Sequence, residues 1–371
     1  MRPWSAIKAP CSSHPRPVMK LRDRDSMVTR EGIIMRVYGY DHPHDGYFCD
    51  VEYAHESIYS SSDPRALRQG KEGRFYKFYE DRGLRFVAER YPHYMLEHRG
   101  LGKRLVGLRV KEAFAIRKAD DRLQEVLKAE EKDPLIKTLE ELLELLEGQG
   151  GFKTSDFGVF GSIQHGFHHP QYSDLDLVVY GRRELGRLQE LLGELYREPS
   201  SPLKNEFEVQ PPIGKWRFIN YSPSEYIEHQ RRKLIYAIYR APRLNRLVKV
   251  EFEPVRRWEE VVNEYDDVYA IRPRGMVTAV VRVLRDDDAG FMPSIYPIEV
   301  EEVLEGEGVT DVERVVSYVE EFRLQAFKDE KVLVKGWLEE VEGKRNFKQI
   351  TLTRKERYYE QVLKVIEDLT Q

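Results

Sequence analysis

The segment SDLDLVV, residues 173–179, puts two charged side chains into an otherwise apolar strand. Because side chains of a strand alternate between its two faces, Asp174 and Asp176 share one face, and the apolar residues between and after them occupy the other. A strand of this apolar character is typically buried, and an unpaired buried charge costs on the order of several kcal/mol. The chain can bury this strand only if a cation compensates the two carboxylates.

The acidic pair predicts a divalent metal ion. Mg²⁺, or Mn²⁺ in its place, prefers hard oxygen ligands and is commonly bound by one or two carboxylates together with water and substrate phosphates. Upstream, Gly161 and Ser162 follow the apolar run FGVF, where a strand is expected to turn into a short helix. A glycine lets the backbone approach a ligand, and helix-start N–H groups with a serine hydroxyl favour phosphate. The sequence therefore predicts that phosphate and metal bind at one place.

These features together resemble the DNA polymerase beta-like nucleotidyltransferase superfamily, in the form of archaeal-type predicted nucleotidyltransferases. The resemblance covers residues 150–260 and consists of a strand, a Gly-Ser turn, a helix start and then Ser-Asp-x-Asp before an apolar run. The Gly-Ser of the family corresponds to Gly161 and Ser162, its loop glycine to Gly166, and its paired aspartates to Asp174 and Asp176.

The resemblance implies a third carboxylate on a neighbouring strand. The segment LVKVEFEPV offers Glu251 and Glu253 on one face, and we expect Glu251 to be the third ligand, with Glu253 as the alternative. The resemblance further implies Mg²⁺- or Mn²⁺-dependent transfer of a nucleoside monophosphate from a nucleoside triphosphate, with ATP as the expected donor, to an acceptor hydroxyl. The catalytic and metal-binding residues would then be Asp174, Asp176 and Glu251.

Several residues are expected to bind the phosphates. Gly161 and Ser162 would bind the β and γ phosphates, and basic residues would neutralise the leaving group or bind the acceptor: Lys215, Arg217 and Arg232. Nucleic acid or tRNA is favoured as acceptor over a small molecule, because the rest of the chain is long enough to hold an extended partner. The competing hypothesis is a non-catalytic nucleic-acid-binding or scaffold protein on the same fold.

Histidines in the same loop suggest a second hypothesis, a zinc site. The spacing His-x-x-His-His of His165, His168 and His169 lacks a fourth ligand, so contact with substrate or solvent is the favoured interpretation. The aromatic and basic run RFYKFYE, residues 74–80, either stacks single-stranded nucleic acid or packs in a core.

The composition is that of a globular protein of 371 residues with 41% hydrophobic residues and no apolar run of membrane-spanning length. The 60 basic and 64 acidic residues nearly balance, so no global basic charge indicates nucleic acid. Two cysteines and the lack of a secretory leader favour a reducing cytoplasm, and the 33% charged residues indicate a heat-adapted source. The oligomeric state stays open.

We predict an α+β fold. A central nucleotidyltransferase α/β domain, with a mixed sheet and flanking helices, lies between N- and C-terminal β-barrel-like modules. Within it, residues 222–240 (SPSEYIEHQRRKLIYAIYR) are expected to be one helix, and LRFVAERY (84–91) in the N-terminal module a strand. The predicted divisions are a flexible tail at 1–27, a β-rich module at 28–110, a helical connector at 111–149, the catalytic domain at 150–270, and a β-rich module with a terminal helix at 271–371.

Overall fold

The computed structural model describes residues 20–211, 218–353 and 357–366. Its first part is a sheet of eight antiparallel strands with one helix packed on it. The elements are β1 (Ser26–Val28), β2 (Ile33–Val37), β3 (Gly46–His55), β4 (Leu67–Gly70), β5 (Gly73–Lys77), α1 (Arg82–Arg90), β6 (Met95–His98), β7 (Lys103–Arg109) and β8 (Ala115–Arg117). The order is β4-β5-β3-β2-β1-β8, and β7 pairs with both β3 and β6.

Residues 20–27 belong to this sheet and its core. Arg22, Asp23, Arg24 and Asp25 are all buried, and β1 pairs with β2 on one side and β8 on the other. The prediction of a flexible tail is therefore wrong for this segment, because β1 is an inner strand of the sheet. The rest of that predicted tail, residues 1–19, lies outside the described residues.

The segment 84–91, predicted as a strand, lies almost entirely in α1. Gly83, Phe86 and Val87 are its buried residues, and this spacing of three and four residues puts them on one helical face. Phe86 and Val87 pack into the core of the N-terminal sheet. The helical period of the buried positions, rather than the alternation of apolar and polar residues, decides the structure here.

Two helices connect this sheet to the next, α2 (Ala119–Lys128) and α3 (Pro134–Gly150). Helix α3 begins at Asp133, whose carboxylate accepts hydrogen bonds from the backbone N–H groups of Leu135 and Ile136, and ends at Gly151 with a φ of 64°. The apolar faces of both helices pack in the same core as the central sheet.

The central sheet has five strands and mixed directions. Its elements are β9 (Phe157–Val159), α4 (Gly161–His165), β10 (Leu175–Tyr180), α5 (Arg182–Arg197), β11 (Leu203–Asn205), α6 (Glu206–Val209), α7 (Pro223–Arg231), β12 (Tyr236–Ala241) and β13 (Arg246–Val255). The order is β11-β12-β13-β10-β9; β10 and β13 are parallel, and the other pairs are antiparallel.

The helix predicted for residues 222–240 is only half correct. Helix α7 ends at Arg231, Leu234 has a φ of 53°, and β12 follows. Strand β12 pairs with β11 on one side and β13 on the other, so sheet hydrogen bonds on both sides outweigh the local helical pattern.

The C-terminal part contains six strands, β14 (Val268–Val283), β15 (Ser294–Glu305), β16 (Val312–Ser317), β17 (Lys331–Gly343), β18 (Phe347–Leu352) and β19 (Val362–Val365). Pairing runs from β14 through β15, β16, β18 and β17 back to β14, which closes a ring of five strands. No such ring joins the strands of the N-terminal sheet within the described ranges.

The terminal helix expected from Lys355 to Leu369 is not found in the described part of this segment. Strand β19 pairs with β17 there, and Val362 and Leu363 are buried against the ring. The remaining residues of that prediction lie outside the described ranges. Taken together, the separate sheets and helices make an α+β fold. None of the helices in the described chain combines the length and apolar character that a membrane crossing requires.

Candidate active site

Parallel pairing of β10 and β13 brings the predicted acidic residues together. In this register Asp176 lies directly opposite Glu251, and Asp174 immediately precedes β10. Partners in a parallel pair point to the same face, so these carboxylates line one cavity of about 990 Å³. The alternation that keeps the rest of β10 buried thus presents the acids to this cavity.

The cavity lies between the N-terminal sheet and the central sheet. From the N-terminal part it is lined by Arg24, Arg36, Glu52, Arg68, Lys77 and Tyr79, among others. The central part adds Gly161, Ser162 and the loop 167–174, and the C-terminal part adds Glu320. A site built from three parts of the chain explains why its basic residues are far in sequence from its acidic ones.

Three carboxylates in this cavity lack protein partners. Within residues 20–211, 218–353 and 357–366, none of the side chains of Asp174, Asp176 and Glu251 accepts a hydrogen bond or forms an ion pair. Burial and the neighbouring Asp174 raise the pKa of Asp176 to about 6. Burial raises the pKa of Glu251 as well, and Glu253 and Asp176 add to this effect. The arrangement stores like-charge repulsion that a cation would relieve.

Glu253, two residues further along β13, has a different environment. Its carboxylate accepts a hydrogen bond of 2.6 Å from Arg323 Nη2 and one of 2.5 Å from Arg24 Nη2, and all three side chains are buried. Burial opposes ionisation of Glu253, but the two guanidinium groups outweigh it and hold its pKa below the usual value. Glu253 is therefore occupied by protein cations, whereas Glu251 is available to a ligand.

The acidic residues do not form a complete metal site by themselves. In the described parts of the chain, no three His, Cys, Asp or Glu side chains are grouped so that they could hold a metal ion. Two carboxylates with raised pKa values in a polar cavity nevertheless suit Mg²⁺, which commonly takes one or two carboxylates and completes its shell with water and substrate phosphates.

Gly161 is packed directly against this acidic pair. Its φ is 60°, and a Cβ atom at this position would lie 2.5 Å from Oδ2 of Asp176. Both the backbone conformation and the close approach therefore require glycine. The Gly-Ser turn and the aspartates are one packed unit.

Replacing Gly161 by alanine is expected to destabilise the protein by about 1–3 kcal/mol and to displace the Asp176 carboxylate, because the new methyl group and the strained φ act together. Thermal melting and binding of Mg²⁺ with a nucleotide measure the two effects. Gly148→Ala is the matched control, since a Cβ there meets nothing within 4 Å and α3 gains a better helix former. Equal behaviour of the two variants would contradict this interpretation of Gly161.

None of the basic residues that were predicted to bind phosphate is among the described residues that line the cavity. Lys215 and Arg217 lie outside the described residues. Arg232 is not among the residues that line the cavity, and its guanidinium pairs with Glu330 and lies 4.9 Å above the ring of Phe327. The cavity instead receives Lys77 and Arg68 from the N-terminal sheet. Lys77 lies within RFYKFYE, and the mixture of aromatic and basic residues in this segment was the only sequence feature that pointed to Lys77 as a binding residue. Two aromatic residues of the segment, Phe75 and Phe78, are buried core residues.

The three loop histidines point to separate partners. His165 is buried with its Nε2 3.4 Å from Glu52, and His168 Nε2 lies 2.7 Å from Asp133 at the start of α3. His169 is stacked on Tyr172. The three side chains thus have different neighbours, and their contact with substrate stays a prediction.

Comparison with known proteins identifies the central part. Residues 135–237 match the family described as nucleotidyltransferase domain. This segment runs from α3 into β12 and contains Gly161, Ser162, Asp174 and Asp176. The chain thus carries a nucleotidyltransferase domain of the DNA polymerase beta-like superfamily.

A relative shares nearly the whole chain. An uncharacterized protein of Methanocaldococcus jannaschii is 24% identical over 350 residues, which cover 93% of this chain and 99% of that protein. The similarity therefore extends over both flanking β-rich parts. No solved structure gives a significant match to the chain.

Proposed function

We propose that the protein is a metal-dependent nucleotidyltransferase that moves a nucleoside monophosphate from a nucleoside triphosphate, with ATP the expected donor, to an acceptor hydroxyl. The observation that carries this proposal is that Asp174, Asp176 and Glu251, which have no hydrogen-bond or ion-pair partner among the described residues, line one cavity with the Gly161–Ser162 turn. The family match of the same segment supports it.

In this proposal Asp174 and Asp176 bind Mg²⁺ together with the triphosphate, and Glu251 is the third acidic residue of the site. Bound Mg²⁺ would neutralise the phosphates and lower the pKa of an acceptor hydroxyl. Burial raises the pKa values of all three acids, and neighbouring acids add to this for Asp176 and Glu251; a bound cation would offset both effects and favour the ionised carboxylates.

The chain's own cations would hold the triphosphate from the opposite wall. Lys77 lines the cavity close enough to Asp176 to lower the pKa of that acid, and among the described residues it forms no salt bridge. Within the part of the chain that the structure describes, Arg68 donates only to the backbone carbonyls of Arg65 and Leu67, so no carboxylate there neutralises its charge. Both side chains are therefore free to pair with phosphate, a role that Ser162 would share by donating its hydroxyl hydrogen.

The proposed reaction transfers a proton as well as a nucleoside monophosphate. The acceptor oxygen forms a bond to the α-phosphorus, the bond from that phosphorus to pyrophosphate breaks, and the hydroxyl proton must leave. Glu251 lies opposite Asp176 on the neighbouring strand, so its carboxylate, when ionised, would be placed to accept this proton. We infer nucleic acid as the acceptor, since the parts of the chain that flank the central sheet are long enough to hold an extended partner and contribute residues to the cavity.

Calorimetric titration with ATP, GTP, CTP and UTP, with and without Mg²⁺, tests the proposal. The wild type is expected to bind at least one nucleotide only with the metal, and Asp174→Asn to lose this binding. Incubation of α-labelled nucleotides with RNA, DNA and metabolite pools then identifies the acceptor. Equally weak binding by both proteins, with no labelled product, would favour the non-catalytic scaffold instead.

A further inference from the structure

A stacked aromatic pair lies at the mouth of the cavity, in the loop before Asp174. The ring centroids of His169 and Tyr172 are 4.7 Å apart, with an angle of 26° between the ring planes. Both residues line the cavity, and Tyr172 is 78% exposed. A large aromatic surface is thus turned toward solvent next to the acidic residues of the site.

The loop that carries the pair is held by its own hydrogen bonds. The backbone N–H of His169 donates to Ser173 Oγ at 2.9 Å, and the N–H groups of Tyr172 and Ser173 both donate to the carbonyl of His169. Arg246 Nη2 donates to the carbonyls of Pro170 and Ser173, which ties the loop to β13. Because the loop is already ordered, a ligand that stacks on it loses little affinity to ordering.

Core packing does not account for these two rings. Neither His169 nor Tyr172 belongs to a buried cluster, whereas the neighbouring Phe167 is buried against Phe75 and Tyr53. The loop therefore directs one aromatic residue into the core and two toward the cavity mouth. Flat aromatic surfaces beside a phosphate-binding site are the usual partners of nucleobases.

We propose that the His169–Tyr172 pair binds a nucleobase by stacking, a proposal that rests on the proposed function. Every base has an aromatic face, so such a contact is strong without being specific for one base. The base can come from two sources, the nucleoside triphosphate or the end of a nucleic-acid acceptor, and both carry the same chemistry. The following experiment distinguishes them.

Three probes are titrated into the full chain with Mg²⁺: 2-aminopurine riboside triphosphate, a short single-stranded oligoribonucleotide ending in 2-aminopurine, and tripolyphosphate, which has no base. Fluorescence quenching reports stacking of the first two, and calorimetry reports binding of the third. Tyr172→Ala is expected to weaken binding of at least one base-bearing probe by about 5- to 100-fold, while Tyr172→Phe retains it. The weakened probe identifies the source of the base.

Tripolyphosphate provides the internal control, because its affinity should be the same in wild type and Tyr172→Ala. Tyr269→Ala is the matched control for loss of an exposed tyrosine, since Tyr269 is 61% exposed and does not line the cavity. Unchanged affinity of Tyr172→Ala for both base-bearing probes would overturn the stacking proposal and leave the transferase proposal standing. A wild type that binds none of the three probes would overturn both.

Discussion

Glu253→Gln is expected to lower the free energy of unfolding by about 3–5 kcal/mol, since removal of one member of a buried ion pair leaves its partner charged and unpaired. The Glu253 carboxylate holds Arg323, which is 1% exposed, and Arg24, which is 3% exposed. Arg24 keeps a second contact with Glu320, 3.0 Å away, so most of the loss falls on Arg323. Chemical denaturation of the metal-free protein measures this change.

Glu251→Gln is the matched control for this prediction. Glu251 stands two residues before Glu253 on the same face of β13, but burial and the neighbouring acids raise its pKa. Removing its charge should leave stability unchanged or increase it. Opposite effects from the same substitution on one strand would confirm that Glu253 is structural and Glu251 is free for a ligand. A loss of stability in Glu251→Gln as large as in Glu253→Gln would contradict this division.

Asp176→Asn is expected to reduce nucleotidyl transfer by about a thousandfold or more, because the proposed metal site loses the carboxylate that lies between Gly161 and Glu251. The same substitution should raise the melting temperature of the metal-free protein, since it removes one of two repelling charges. Transfer assays and melting scans in EDTA measure the two effects. Loss of activity with a lower melting temperature would show instead that the variant is simply damaged.

The stability of the metal-free protein should also depend on pH in a defined direction. The pKa of Asp176 is raised to about 6 in the folded protein, against an ordinary value of 3.8. Between these values Asp176 binds more protons in the folded state than in the unfolded state, so its contribution to stability is greatest below about pH 4 and is lost as pH rises through 6. The change is on the order of 1–3 kcal/mol from this residue, and Asp176→Asn should remove it.

The acidic part of the site could be predicted from the sequence because it depends on local rules. The period of two in SDLDLVV and LVKVEFEPV places the acids on single faces of β10 and β13, and the parallel pairing sets Asp176 opposite Glu251. The choice between Glu251 and Glu253 could not be predicted in this way. It depends on Arg24 and Arg323, which come from the two flanking parts of the chain.

Two of the elements that were predicted wrongly share a physical cause. β12 and β19 have local patterns that suit a helix, but β12 pairs with β11, which precedes α6 and α7, as well as with the adjacent β13, and β19 pairs with β17. These hydrogen bonds decide the structure. Likewise, Lys77 enters the cavity only because the N-terminal sheet packs against the central one. Neither pairing between distant strands nor packing between two sheets produces a periodic pattern in a single sequence.

The buried contact of Arg24, Glu253 and Arg323 has a consequence for how substrates reach the site. Each of the three residues belongs to a different part of the chain, so moving any part away would break a buried ion pair. We therefore expect a hinge motion that opens the cavity to be costly, and the walls of the cavity to keep their relative positions. Ligands must enter and leave through its rim.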